Sequence, residues 1–400
     1  MTTSAKDVCN LTFKRDDGVL TIVADGQISS ANAAEVEAKI KEELHDVKSV
    51  LIDCSTLSYI SSAGLRILLR IKKIVDNVKA VNVSNEVYDI FDVTGFTEMI
   101  DVRKAYRKLS VAGCTVIGEG ANGIVYRYAD DTIVKVYKDP DALDDIERER
   151  ELARTAFVLG VPTAISYDIV QVEGGLYGSV FELLKADSYH HLLKEGKKTV
   201  DEIAKMSADL LKIVHSTEPK PGILPQRKRV TESRLKSIKE ANIIPEEEYN
   251  LIVEKTKTIP EDGHMLHGDF HVKNVMIQDG ESLLIDMDTL CVGNPVYELA
   301  GMYLPYVGFG LVDPQDPMRF FGLSTEVTTE LYEKIMAYYF EDRPEELETA
   351  KKKAIFLSMI RLLYYCAVNK HITPENKDAV IALSRKTLNE LLPQLDTLVI

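Results

Sequence analysis

The segment His267-Gly268-Asp269-Phe270-His271-Val272-Lys273-Asn274 sets two groups capable of chemistry, Asp269 and Asn274, five residues apart, and Asp286 follows further on. Val275-Met276-Ile277 and Leu283-Leu284-Ile285 are strand-length apolar runs joined by the turn residues Gln278-Asp279-Gly280-Glu281. Such a hairpin brings Asp269, Asn274 and Asp286 to one edge. Phosphoryl transfer needs a set of this kind. One carboxylate orients the attacking hydroxyl and takes its proton, while an amide oxygen and a second carboxylate hold magnesium on the phosphates of ATP. A chance His-x-Asp on a loop accounts for neither the asparagine nor the hairpin-placed Asp286.

A second cluster lies upstream, where Gly118, Gly120 and Gly123 form GxGxxG. A dinucleotide fingerprint requires a helix directly after the third glycine. Here Ile124 to Tyr128 and Thr132 to Tyr137 read as strands around the turn Ala129-Asp130-Asp131. Strand, glycine loop, strand is a hairpin folded over phosphates, in which the glycines let backbone N–H groups approach phosphate oxygens. Ile133, Lys135 and Tyr137 share one face of the second strand. A lysine there either snorkels at an edge or bonds the α- and β-phosphates of ATP, and the glycine loop favours the phosphates. It then needs a carboxylate to hold it. In the helix expected over Ile146 to Leu159, Ile146, Glu149, Ala153 and Phe157 recur at spacings of three and four, so Glu149 points with the apolar side. Glu147 and Glu151 fall on the polar side.

The elements that position these groups fit a chain of two or three domains, since 400 residues with 45% hydrophobic and 28% charged residues can bury ordinary cores. Residues 10–104 alternate strand and helix signals. Leu20 to Val23, Val50 to Ile52 and Val78 to Val83 are strand-like, and Ala33, Val36, Ile40 and Leu44 recur at helical spacing. Leu65 to Val75 reads as a buried helix and Val87 to Phe91 as a short one. This predicts an α/β domain, a sheet covered by helices. One hydroxyl of Ser61-Ser62 is expected to cap the helix that follows. Leu109 to Gly113 is the expected junction, giving an α/β domain over 1–109, a sheet lobe over 110–185 and a mainly helical lobe over 186–400.

The strand, turn and helix around Tyr59-Ile60-Ser61-Ser62-Ala63-Gly64-Leu65-Arg66 resemble the STAS domain of anti-sigma factor antagonists, over roughly residues 8–108. In that family the first serine after the signature's aspartate is the phosphoacceptor. The resemblance places that serine at Ser62, while Ser61 stands where the family has aspartate. Gly26-Gln27-Ile28 resembles the family's Gly-Glu-Leu-Asp turn with the acids missing. A phosphate at Ser62 would meet the positive end of a helix and alter a surface that a STAS or anti-sigma partner reads.

The second part resembles the aminoglycoside phosphotransferase/choline kinase branch of protein-kinase-like enzymes. His267-Gly268-Asp269 stands where protein kinases have His-Arg-Asp, and Ile285-Asp286-Met287-Asp288 stands for Asp-Phe-Gly. Gly293-Asn294-Pro295-Val296-Tyr297-Glu298-Leu299-Ala300 looks like the branch's Gly-Asp-Pro segment, which usually ends Asp-Leu-Ala. The resemblance implies a bilobal α+β fold with an antiparallel-sheet N-lobe and a helical C-lobe. It also implies that Asp269 is the catalytic base, Asn274 and Asp286 hold Mg2+, and Lys135 with Glu149 clamps the phosphates of ATP. Asp288 would assist at the metal. Gly118, Gly120 and Gly123 would cradle phosphates, and the hinge Phe181-Glu182-Leu183-Leu184 would hold adenine through backbone at Glu182 and Leu184. Little room for a protein-kinase activation loop remains after Asp286.

Composition narrows the partners. A formal net charge of -15 excludes a generally basic nucleic-acid binder. Five cysteines scattered singly, with no CxxC pair, fit a reducing cytoplasm rather than a disulfide framework. No signal-peptide core is expected at the N-terminus, and Arg361 interrupts the apolar stretch Ile355 to Val368, so no membrane span is expected. Residues 1–110 are close to neutral, and the excess acid lies beyond them. Acidic groups together with Tyr332, Tyr338, Tyr339, Tyr364 and Tyr365 would suit a cationic acceptor, although such tyrosines are more often core. Three functions follow: a small-molecule hydroxyl phosphotransferase with a regulatory STAS domain, a signalling kinase acting on a STAS serine, or a nucleotide-binding scaffold.

Overall fold

A computed structural model describes residues 8–120, 122–183, 186–369 and 373–400. The contacts divide it into two units: residues 1–110 with 170–173, and residues 111–169 with 174–400.

In the first unit β1 (Cys9–Asp16) and β2 (Val19–Ile28) form a hairpin, followed by α1 (Ala33–Glu43), β3 (Ser49–Ile60), α2 (Ser62–Ile74), β4 (Asn77–Val83), α3 (Asn85–Val93) and β5 (Asp101–Lys104). The sheet order is β1-β2-β3-β4-β5, with β1 antiparallel to β2 and the other pairs parallel. Parallel neighbours need crossover connections, and α1, α2 and α3 supply them. Leu20, Ile22 and Ala24 alternate into the core from β2, and Val50, Ile52 and Cys54 do so from β3. Phe91 of α3 is fully enclosed among them. Ser61 is the cap of α2, its side chain accepting from the Gly64 N–H at 3.4 Å, and Ser62 is the first helical residue and exposed. A short β6 (Arg107–Lys108) closes this stretch of chain.

The second unit begins with β7 (Thr115–Glu119), β8 (Gly123–Arg127) and β9 (Thr132–Tyr137), then α4 (Leu143–Val158), β10 (Asp168–Gln171) and β11 (Tyr177–Glu182). Val170 and Gln171 at the end of β10 belong to the first unit, where they run parallel to Arg107 and Lys108 of β6. Strands β7, β8, β9 and β11 are antiparallel neighbours in that order. The remainder is mainly helical: β12 (Asp187–Ser188), α5 (Tyr189–Lys194), α6 (Val200–His215), α7 (Arg227–Ala241), α8 (Glu246–Lys257) and β13 (Met265–Leu266). The hairpin β14 (Val275–Gln278) and β15 (Glu281–Leu284), then β16 (Cys291–Val292), precede α9 (Val296–Tyr303). Helices α10 (Phe309–Val312), α11 (Asp316–Phe321), α12 (Thr325–Tyr339), α13 (Leu347–Val368) and α14 (Pro374–Leu391) complete it. One core runs through this region, with Leu211 of α6, Leu299 of α9, Ile335 of α12 and Leu363 of α13 fully enclosed. The chain thus has the expected class, an α/β domain followed by a sheet-plus-helices α+β domain. Among the described residues no helix is long and apolar enough to cross a membrane.

Candidate active site

Strand β9 carries Lys135 and helix α4 carries Glu149, and Lys135 Nζ lies 3.1 Å from Glu149 Oε1. The same ammonium lies 2.8 Å from Asp286 Oδ1, just past β15. Glu149 is buried, and Tyr137, two residues along the same face of β9, donates its hydroxyl to Glu149 Oε2 at 2.7 Å. Burial alone would lower the lysine's pKa, but the Glu149 and Asp286 charges outweigh it and hold Lys135 well above the ordinary value. The ammonium therefore links the strand sheet to the hairpin edge.

Of the three loop glycines, the fold itself requires one. A Cβ on Gly123 would sit 2.7 Å from the Val136 carbonyl oxygen, so any larger residue forces β8 and β9 apart. Nothing lies within 4 Å of a Cβ on Gly120, and only ordinary contacts with Val125 would meet one on Gly118. Packing within the protein does not explain glycine at those two positions. The Gly120 N–H is turned into the loop, donating to Gly123 O at 2.9 Å. Glu182 ends β11, and the next residue, Leu183, donates its N–H to Asp131 O at 2.8 Å. Leu184 lies outside the described residues.

The segment after β13 is held by buried partners. His267 is fully enclosed; its Nδ1 accepts from the Asp269 N–H at 3.3 Å, so its Nε2 carries the proton toward Ile285 O at 3.1 Å. Gly268 has φ +86°, and a Cβ there would sit 2.4 Å from Thr289 O, so the turn admits no side chain. Asn274 is buried and donates Nδ2 to Asp269 O at 3.0 Å. Ile285 donates its N–H to Asn274 O at 3.0 Å, which ties β15 to the loop, and Asp286 then adopts a left-handed φ of 65°. Thus Asp269, Asn274 and Asp286 do converge on one edge, as the hairpin requires.

Charge at this edge is concentrated. Burial pushes the Asp269 carboxyl up, but the hydrogen bond and charge of His271, together with Arg361 and His267, hold it at about 2. Asp288 moves the other way: burial, then the charges of Asp286 and Glu149, push it up to about 6. Among the described residues no group of three or more His, Cys, Asp or Glu has metal-holding geometry. The edge instead offers hard oxygen donors, the Asn274 amide and the Asp286 carboxylate. That donor set suits magnesium, which keeps waters and substrate oxygens in most of its positions.

Three groups left unassigned in the sequence stand at the site. His271 Nε2 lies 3.5 Å from Asp269 Oδ2, and its ring meets Phe320 and Phe321 edge-on. Lys273 Nζ lies 4.7 Å over the Phe320 ring. Glu298, fully enclosed at the start of α9, accepts from the His267 N–H at 2.6 Å and the Gly268 N–H at 3.0 Å. Only the Gly-Asn-Pro stretch before Glu298 signalled it in the sequence. The tyrosines build no common wall: Tyr332 and Tyr339 are buried, Tyr338 donates to Asp201, and Tyr365 is exposed.

With this geometry in place, the comparisons with known proteins fall into two parts. The model of the phosphotransferase enzyme family matches residues 113–344, more than half of the chain, and the STAS domain model matches residues 10–112. The chain belongs to the phosphotransferase enzyme family and carries an N-terminal STAS domain. BtrV of Bordetella bronchiseptica, a candidate anti-sigma factor antagonist, is 31% identical over 112 residues, 27% of this chain and 97% of that protein. Among solved structures, ADP-bound aminoglycoside phosphotransferase APH(2'')-Ib is 18% identical, over 70% of this chain and 95% of its own, at a TM-score of 0.48. A thermostable APH(4)-Ia with ADP and hygromycin B is 13% identical, over 71% of this chain and 95% of its own, at 0.49.

Proposed function

We propose that the chain transfers the γ-phosphate of ATP to a hydroxyl of a small molecule, with magnesium, and that the STAS domain regulates this. One observation carries the reading: Lys135 is gripped between Glu149 and Asp286, at 3.1 and 2.8 Å. The family's phosphotransferase activity and the ADP and hygromycin B in the APH(4)-Ia complex support nucleotide use and a small-molecule acceptor.

In this mechanism Lys135 holds the α- and β-phosphates, and the open ground above Gly118 and Gly120 admits the triphosphate. Backbone at Glu182 holds adenine. Asn274 Oδ1 and Asp286 would hold Mg2+, which when bound neutralises phosphate charge. The carboxyl of Asp269, held at about 2, is ionised at neutral pH and orients the acceptor hydroxyl. The hydroxyl oxygen forms its bond to the γ-phosphorus as the bond to the β–γ bridging oxygen breaks. Its proton passes to Asp269, and ADP leaves. An ATP-consumption screen over hydroxylated compounds tests this. Turnover is expected in the wild type and lost in Asp269→Ala; equal turnover in that variant overturns the reading.

A second reading has the same domain phosphorylate a STAS serine. It is favoured by the division of labour at α2, where Ser61 serves as the cap and leaves Ser62 exposed. Labelled ATP should then mark the chain, and Ser62→Ala should abolish the label; an unchanged label discards that site.

A further inference from the structure

Arg227 and Arg234 lie on one face of α7, seven residues apart with Thr231 between, and Arg361 approaches from α13. With Tyr297 and Gly301 of α9 they line a small, partly open hollow. Among the described residues, no carboxylate stands within ion-pair distance of any of these three guanidinium groups. Arg361 Nη1 is shielded from solvent and has no hydrogen-bond partner. Arg234 meets only the Tyr364 ring, 5.6 Å away, as a cation–π contact. Burial, then the charges of Arg227 and Arg361, push Arg234 down to about 9; burial and Arg227 push Arg361 down as well, and the more distant charges of Asp269 and Glu298 offset this only in part. Three like charges packed together with an unpaired buried donor is a costly arrangement that native cores avoid. It is relieved by an anion.

The cluster adjoins the site described above. Arg227 Nη2 donates to the Gly268 carbonyl at 3.4 Å, one residue from Asp269. A Cβ on Gly301 would lie 3.8 Å from Arg361 Nη1 and 4.0 Å from that same carbonyl, so the guanidinium reaches the back of the loop. Asp269 and Arg361 also feel each other's charge. The net charge of -15 argues for cationic ligands only at long range. Beyond a screening length of about 8 Å that diffuse field fades, whereas three guanidinium groups around one hollow act at contact.

We infer that the acceptor is an anionic hydroxyl compound, its carboxylate or phosphate group held among Arg227, Arg234 and Arg361 while its hydroxyl meets Asp269. The inference rests on the phosphotransferase reading and narrows its substrate. Fork-shaped guanidinium donors suit both oxyanions; a neutral sugar hydroxyl accepts only one bond and leaves the charge uncompensated, and a cationic amine is repelled.

The test uses the full chain. Inorganic phosphate at millimolar concentration should raise the melting temperature of the wild type and leave Arg234→Gln and Arg361→Met unmoved. Arg234→Gln removes one of three mutually repelling charges at a partly open position, so its own ligand-free melting temperature should hold or rise. In turnover, glycerate, gluconate and glycerol 3-phosphate should be accepted over glycerol, glucose, choline and kanamycin. Arg234→Gln should raise the KM of the accepted anion at least about tenfold and leave the KM for ATP unchanged. A phosphate shift equal in wild type and variants, or turnover of neutral or cationic acceptors untouched by Arg234→Gln, overturns the inference alone. Absence of ATP–Mg binding to the wild type by calorimetry overturns the phosphotransferase reading as well, and is thereby distinguished.

Discussion

Glu298 holds the loop that carries Asp269 from within the core. Its carboxylate accepts two buried backbone N–H groups, those of His267 and Gly268, and His215 Nε2 stands 3.9 Å away. Burial pushes this glutamate up, but the nearby His215, with His267 and Arg227, holds it below the ordinary range. Glu298→Ala would leave two donors unpaired in the core, a loss of about 2–4 kcal/mol. Chemical denaturation at pH 7 should read that loss. A depressed carboxyl contributes its stability above its unfolded pKa and gives it up as pH falls through the folded value. The gap between wild type and Glu298→Ala should therefore narrow in acid; a gap constant down to pH 3 would mean that packing, not charge, sets it. Glu298→Asp, which restores the family's usual residue but shortens the reach, should fall between the two. The sequence marked the position as a departure from Asp-Leu-Ala, yet it could not reveal that the longer side chain spans to the loop. That contact joins residues some thirty positions apart and depends on how α9 docks.

At the scale of elements, the two hairpins were readable because their signals are local. Strand period, turn residues at Ala129-Asp130-Asp131 and Gln278-Asp279-Gly280-Glu281, and helical spacing around Glu149 all lie within single windows of sequence. In the first unit the same periodicities located the starts of β2, β3 and β4 and their crossover helices, since alternate side chains enter one core. Strands β2 and β3 run on to Ile28 and Ile60, past the apolar runs at Leu20 to Val23 and Val50 to Ile52, and the short β5, which offers no apolar run, was not expected. The arginine cluster was not readable as a unit. Arg361 stood out only as an interruption in an apolar stretch, and its meeting with Arg227 and Arg234 depends on α13 packing against α7. The glycine loop permits a prediction that separates fold from ligand. Gly123→Ala drives a Cβ into the Val136 carbonyl and should destabilise the β8–β9 hairpin by about 1–3 kcal/mol. Gly120→Ala meets open space and should leave thermal unfolding of the ligand-free chain within about 0.5 kcal/mol of wild type. If phosphates lie against that loop, the added methyl instead weakens ATP binding by calorimetry. Gly120→Ala binding ATP as tightly as wild type would remove the loop from the nucleotide site.

For the whole molecule, two units with separate cores make one cooperative transition an unsafe expectation. The first core is built from residues 9–100 and the large second one from residues 152–398, and no residue is shared between them. Each unit brings its own apolar burial and its own conformational entropy, so each has its own midpoint. Scanning calorimetry of the full chain should resolve two transitions. ATP with magnesium at one hundred times its Kd should stabilise the unit that binds it by about 2.7 kcal/mol, since a ligand of the folded state alone contributes RT ln(1 + [L]/Kd). Under the proposed function that unit is the second. One endotherm should move upward with nucleotide, and the other, assigned by its persistence in a chain truncated after residue 110, should stay in place. The assignment is cross-checked with Asp286→Ala, which should cancel the movement. Should both transitions rise together in wild type, nucleotide binding is thermodynamically linked to folding of the STAS domain, and by reciprocity loss of the folded STAS domain must weaken ATP binding by the same factor. Should neither move, the Lys135–Asp286 grip serves the fold rather than a triphosphate.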